Sequence, residues 1–472
     1  MQRLAILLIF ALLQQASSAQ GIIKEHPQTL RIEADSFFVR FSNSPDLLTL
    51  RVRTRDTVDM GTDAQPGMTA TVYYGKNDSL KLSYHNIPFA EVYYIPIQSP
   101  SRKFVYRLHF NDITAYFPPE YIQQNTNNVQ VEIPEAYELA NIIWTLSPSG
   151  QRATDLNKEG AYYQKVLTWF KPMMDHPLLK QLDFADSVYF KNYYDFRENS
   201  FVFNFSGKKL VSEGPYYYVM GDDWDNFKSL FSKLLPFVQD FSDRSKFREF
   251  YRENLAFYQQ QVKREQELMP VRNMWGWLEK EFPNRKFKSY KIVFSPLIGG
   301  SHSTQNFGTY TAGSGLFNES VMFVCNTDRY DKRTELNEQQ KEGLMSGIVF
   351  TEIDHNYVNP LSNRYAKNID SIFVNRQTWT KKGGDNSWYG SPVSVFNEYM
   401  THAVFCLWVM DHYDKPVADY VISNRESLMV DRRNFSRFKE FNKALISIRE
   451  QNKNMTVAAL YPAILDWCKT QY

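Results

Sequence analysis

Cysteine is scarce, with only Cys325, Cys406 and Cys468 in 472 residues. So few, and an odd number, exclude a disulfide-framed scaffold; at most one bridge is possible, and buried free thiols are expected. An excess of one charge is equally lacking, since 54 Lys and Arg face 52 Asp and Glu. Without a dense basic cluster, that balance argues against nucleic acid or an anionic membrane surface as a partner. After the first twenty residues no apolar run reaches the roughly 20 residues that span a bilayer, so no transmembrane segment is expected. Gly-x-Ser-x-Gly is missing, and no Cys lies in a thiol-enzyme context. The segment GTYTAGSG lacks the Lys that completes a phosphate loop. Nucleophilic hydrolysis and phosphoryl transfer therefore rank low.

What is present begins with a leader. Arg3, the apolar run LAILLIFALL, and small residues at Ser17 and Ala19 read as a signal peptide over 1–19, cut before Gln20. The expected location is secreted or periplasmic. Aromatic residues make up 16% of the chain, which reads first as a well-filled core with half-exposed Tyr rings.

The pattern predicts an α+β protein in three parts. Over 20–132, short alternating runs such as LRIEADSFFVRFS, EVYYIPI and VQVEI, separated by turn sequences, predict an antiparallel β-sandwich-like domain. Over 133–289 the period becomes helical. A helix opens at PEAYELANII, others lie over Tyr162–Phe170, Trp224–Phe241 and Phe247–Trp277, and an aromatic hairpin is expected near Ser187–Met220. Over 290–472, β-like runs at Tyr290–Ile298 and Ser320–Cys325 flank the Gly- and Ser-rich stretch GGSHSTQNFGTYTAGSG, and helices follow.

One of those helices carries the chemical signal. NEQQKEGLMSGIVFTEIDHNYVNP, Asn337 to Pro360, has a candidate N-cap in Asn337 and a stop in Asn359-Pro360. Leu344, Ile348, Thr351 and His355 fall on one stripe, with Glu352 beside it. In H-E-x-x-H, such a stripe holds two imidazoles one turn apart for zinc and a Glu as general base. Here the base position is Glu352 and the second His is His355, while Thr351 stands where the first His belongs. Further on, Asn397, Glu398 and His402 lie in a second helix over Ser394–Trp408.

This combination resembles the gluzincins, the thermolysin-like zinc peptidases, whose second helix supplies a Glu ligand in N-E-x-x-x-D. His402 stands where that pattern has Asp. The gluzincin resemblance covers about Tyr290 to His412. A narrower one, to a domain-of-unknown-function family of secreted bacterial proteins with H-E-x-x-H followed by Asn-Pro, covers most of the chain. The resemblance implies a zincin-like C-terminal domain with a small sheet packed on helices, and an edge strand that holds extended peptide. It also implies zinc held by His355 and Glu398, water activated by Glu352, and a peptide or protein as substrate or ligand. For the position lost at Thr351 three outcomes stay open. His402 or His302 fills it; Glu352, His355 and Glu398 make a weaker, oxygen-rich site; or the site is empty and the protein is an inactive pseudopeptidase that binds peptides. Tyr389, Arg432 and Arg433 lie where such enzymes place a group that polarises the scissile carbonyl. In the plainer reading of the same residues, Glu352 pairs with a basic neighbour and His355 is a satisfied core histidine. Glu398 and His402 then form an i, i+4 helix pair, and His302 sits in an exposed loop.

Overall fold

The computed structural model describes residues 22–42, 47–51, 68–84, 91–110, 115–221, 228–311, 315–383 and 389–471. The expected signal peptide over 1–19 and Trp224 lie outside them. The chain is α+β. It divides into one unit of residues up to Pro119 with Phe307–Asn318, and a second of Glu120–Asn306 with Glu319–Tyr472.

In the first unit, strands β3 (Ser36–Phe41), β4 (Leu47–Arg51), β5 (Thr69–Tyr73) and β6 (Ser79–Ser83) form an antiparallel sheet in the order β4-β3-β5-β6. Alternation puts Phe37, Val39, Ala70 and Val72 inside. A second sheet is built on β7 (Glu91–Gln98), with β8 (Lys103–Phe110) antiparallel on one side. On the other side, β1 (Ile22–Glu25) and β2 (Leu30–Arg31) pair with β7 in parallel, where the sequence suggested antiparallel strands only. Period-two alternation says which face is buried, but it does not name the neighbour. Ile95, Ile97 and Leu108 of this sheet join Phe37 and Val39 in one apolar core, with Phe37 and Tyr106 edge to face at 4.7 Å.

The sheet β13-β14-β12-β9, made of β9 (Asn128–Glu132), β12 (Ser289–Phe294), β13 (Ser303–Thr311) and β14 (Gly315–Val324), belongs to the second unit except for residues 307–311 and 315–318. All six residues of β12 are buried and it runs parallel to both β9 and β14, as expected of a central strand covered on both faces. Two expectations change here. β9 pairs with β12, so 132 is not a domain boundary; neither is 289, because one unit runs across it. The Gly- and Ser-rich stretch is largely strand β13 rather than a loop, at the edge of the sheet, where polar β-compatible residues such as Thr304 and Gln305 fit.

Five helices of this unit carry the argument: α1 (Glu135–Leu146), α2 (Tyr189–Asn199), α3 (Glu338–Arg364), α4 (Pro392–His412) and α5 (Lys415–Ser427). α1 is buried along almost its whole length and anchors the core that includes Trp144, Tyr193 and Phe196. The expected aromatic hairpin is α2 over most of its first half, because Tyr193 and Phe196 bury at helical spacing; only β10 (Asn204–Ser206) and β11 (Lys209–Val211) pair as strands. α3 begins as predicted at Asn337, whose side chain accepts from the Gln340 N–H while Gln340 answers with the reciprocal bond. It does not stop at Pro360. The Tyr461 hydroxyl reaches the Val358 carbonyl at 3.3 Å and the Ser362 hydroxyl at 3.2 Å, tertiary contacts on either side of the Pro. Cys325, Cys406 and Cys468 are buried and free. Among the described residues no helix is long and apolar enough to cross a membrane.

Candidate functional site: an arginine-lined cleft

The stripe read from α3 opens onto a cavity of about 570 Å³, where Leu344, Ile348, Thr351, Glu352 and His355 form one wall. The rest of the lining includes His302 before β13, Glu398 and His402 on α4, and Arg425 on α5. Arg432 and Arg433 follow α5. A π-helical turn over Leu428–Arg432 ends α5, with the Arg433 N–H reaching back to the Leu428 carbonyl at 3.0 Å. That wide turn delivers Arg433 to the cavity.

Thr351 is buried, and its hydroxyl faces the carbonyls of Gly347 and Ile348, each at 3.0 Å, so its donor is spent on its own helix. Glu352 faces the edge strand. It accepts from the Thr304 hydroxyl at 3.1 Å and lies 3.6 Å from His302 Nε2. His302 is thus a neighbour of Glu352, not a side chain on an isolated loop. His355 Nδ1 lies 3.2 Å from Asn359 Oδ1 and 3.4 Å from Thr401 Oγ1, while its Nε2 is 3.5 Å from Glu398 Oε1.

Glu398 sits at the centre. Arg433 donates to its Oε2 at 2.7 Å and to the Tyr389 hydroxyl at 2.7 Å, and His402 Nε2 is 3.5 Å from the same carboxylate oxygen. Burial pushes the Glu398 pKa up, but the hydrogen bond to His402 and the charges of Arg433 and the two imidazoles hold it well below the usual carboxylate range. His402 is met on both sides, by Arg433 at Nε2 and by Arg425 at Nδ1, 3.2 Å away. Burial, with the two guanidiniums, pushes its pKa well below the ordinary imidazole value despite the pull of Glu398. A neutral imidazole has one acceptor nitrogen, and here an arginine N–H faces each nitrogen.

The structure therefore brings Glu398, His355 and His402 together, with Glu352 and His302 on the same cavity, but it does not arrange them as zinc ligands. Zinc binds lone pairs at about 2.0–2.2 Å and keeps three protein ligands in catalytic sites. His402 Nε2 and Glu398 Oε2 are occupied by Arg433, Thr351 offers no imidazole, and the His–Glu contacts left without an arginine between them, His355 with Glu398 and His302 with Glu352, are two separate pairs. Among the described residues no group of three His, Cys, Asp or Glu is disposed to hold a metal ion. The donor set does not fit the zinc that the resemblance implies.

Sequence reasoning singled out Arg433 without a partner and missed Arg425, Arg329 and Arg333, which also line the cavity. A signal for Arg425 was present: it extends the stripe Val417, Ala418, Val421 on α5, a cation on an otherwise buried helix face. The chain matches no protein-family model, no curated protein and no solved structure.

Proposed function

We propose that this chain is a secreted or periplasmic, gluzincin-like pseudopeptidase: a module that keeps a peptidase-type cleft, binds a peptide or protein segment there, and performs no metal-dependent hydrolysis. The observation that carries this reading is Arg433, whose guanidinium occupies Glu398 and His402 at once. A fixed cation between a Glu and a His repels a second cation and supplies the charge that a metal would otherwise bring to Glu398. The peptide side of the proposal rests on β13. It is the terminal strand of its sheet, and it lies against α3 through Thr304 to Glu352 and Asn306 to Asn356, the latter at 2.6 Å. An extended chain adds to such an edge through backbone hydrogen bonds.

The test is metal analysis of protein equilibrated with excess zinc and then dialysed, run beside a quenched-fluorescence peptide library with and without zinc. The expected result is substoichiometric zinc and no cleavage. Stoichiometric zinc together with zinc-dependent cleavage that Glu352→Gln abolishes would establish an active peptidase and overturn the proposal.

A further inference from the structure

We propose that the cleft is an oxyanion site, and that the peptide it takes presents a carboxylate to Arg425 and Arg329; this rests on the peptide-binding reading above. Five arginines line the cavity: Arg329, Arg333, Arg425, Arg432 and Arg433. Two are already matched by acids. Arg433 holds Glu398, and Arg333 donates to Glu335 at 2.7 Å and to the Tyr420 hydroxyl at 3.1 Å.

Arg425 is different, because it is 8% exposed and among the described residues its one hydrogen bond goes to the ring of His402. The face of Phe405 lies 4.7 Å from the guanidinium carbon, which offers a quadrupole but no charge. Asp354 on α3 acts on Arg425 at longer range, and among the described residues no hydrogen bond or ion pair joins the two. A buried cation without an anion is costly, and burial accordingly pushes the Arg425 pKa down to about 10. Gly347 leaves room for this group: a Cβ there would collide with the guanidinium. Arg329 is exposed, with the Tyr330 ring at 5.4 Å, and has no ion pair among the described residues. Arg432 adds a further exposed cation at the same cavity.

The cavity's carboxylates do not cancel this excess. Glu398 is spent on Arg433, and Glu352 faces His302 and Thr304 on the β13 side. What remains is a concave site in which the buried Arg425 has no ion pair among the described residues, in a volume larger than a lone inorganic anion requires. Guanidinium groups match a carboxylate in shape as well as charge, through paired N–H donors. The carboxylate has two possible sources on a peptide, an acidic side chain or a free C-terminus.

The experiment is isothermal titration of the full chain with blocked hexaglutamate, blocked hexaglutamine, and hexaglutamine with a free C-terminus. Inorganic phosphate is titrated separately, and Arg425→Met and Arg329→Met are run beside the wild type. The expected result is that a carboxylate-bearing peptide binds at least about tenfold tighter than blocked hexaglutamine, by an amount that shrinks with salt. Arg425→Met and the exposed Arg329→Met should each remove much of that difference, so the proposal stays testable even if the buried variant folds poorly. Preference for hexaglutamate assigns a side chain, and preference for unblocked hexaglutamine assigns the terminus. Equal binding of all three peptides, or a preference that neither variant changes, overturns the oxyanion assignment and leaves the peptide-binding reading standing. Phosphate binding with no peptide binding overturns the carboxylate assignment and the peptide reading together.

Discussion

Glu398 on α4 and the pair Glu138 on α1 and Glu198 on α2 are all buried, at 3%, 0% and 0% exposed, yet their carboxyls move in opposite directions. Burial pushes Glu138 up to about 7, and the bonds from Ser295 and from the Tyr162 hydroxyl recover only part of that cost. Burial pushes Glu198 up to about 7 as well, against the bond from Ser303 at 2.6 Å. Both have a guanidinium in reach, that of Arg197, but it donates to the Tyr137 hydroxyl at 2.9 Å and lies 3.7 Å from the centre of the Tyr193 ring. Arg433, by contrast, donates directly to Glu398. Glu398 is held low by the hydrogen bond to His402 together with the charges of Arg433 and the two imidazoles, whereas Glu138 and Glu198 have the charge of Arg197 without a hydrogen bond from it.

The sharpest break of this comparison is Arg433→Met. It leaves Glu398 buried without its arginine donor, and removing one partner of a buried pair costs about 3–5 kcal/mol. Urea unfolding near pH 7 should show that loss, and Arg433→Met combined with Glu398→Gln should recover a large part of it. A loss below about 1 kcal/mol, the worth of an exposed ion pair, would mean that Glu398 is held by the imidazoles and not by the arginine.

The other side of the comparison is reached through pH. The folded-state value for Glu138, about 7, lies above its ordinary 4.5, so the folded protein keeps a proton that the unfolded chain releases between those values. Stability from this group is complete below about pH 4.5 and falls as pH rises toward 7. Glu198 behaves in the same sense. Glu398, held low, has the opposite sign: its contribution is present above the ordinary carboxylate range and is lost on acidification. Glu138→Gln should therefore stabilise the protein at pH 8 by up to about 3 kcal/mol and have little effect at pH 4. Denaturant titrations at the two pH values check this, and equal effects at both would assign the change to packing.

A third variant asks whether Arg433 stands in for a metal. Thr351→His alone should gain little zinc affinity, since Arg433 still occupies Glu398 and His402. Combined with Arg433→Met, it places two imidazoles on α3 beside a freed Glu398, and an affinity gain of about a hundredfold, near 3 kcal/mol, is expected in a chelator competition. Because His is larger than the buried Thr351, overpacking of about 1–3 kcal/mol offsets part of the stability. A full gain from Thr351→His by itself would show that the arginine yields to metal.

Much of this arrangement was legible in the sequence. The cap at Asn337, the stripe Leu344, Ile348, Thr351, His355, and the second helix around Glu398 all follow from local spacing, and the structure places the stripe and Glu398 on one cavity. What was hidden depends on contacts distant in sequence. Arg433 meets Glu398 across 35 positions, and nothing local to either residue announces the pair. β9 joins β12 from far along the chain, and Pro360 lies inside a helix that the distant Tyr461 meets at Val358 and Ser362. α2 was misread because aromatic residues suit strands, whereas tertiary burial selected the helical spacing of Tyr193 and Phe196.

The smallest effect concerns the close approach of α3 and α5, which sets where Arg425 lies. A Cβ at Gly343 would come 2.6 Å from Val421 Cγ2, and one at Gly347 would collide with the Arg425 guanidinium and come 3.0 Å from Phe405 Cζ. Ala in place of helical Gly gains about 1 kcal/mol of propensity. Overpacking costs about 1–3 kcal/mol, so each variant should lose no more than about 2 kcal/mol. The two should separate in binding. Gly347→Ala displaces the buried cation and should weaken an acidic peptide, whereas Gly343→Ala presses on Val421, one turn away, and should leave the affinity largely intact. Thermal unfolding paired with hexaglutamate titration reads both quantities. Equal loss of affinity in the two variants would mean that the spacing of the helices, not the position of Arg425, governs the site, and the contrast between an aimed and a merely nearby guanidinium would not extend to the ligand.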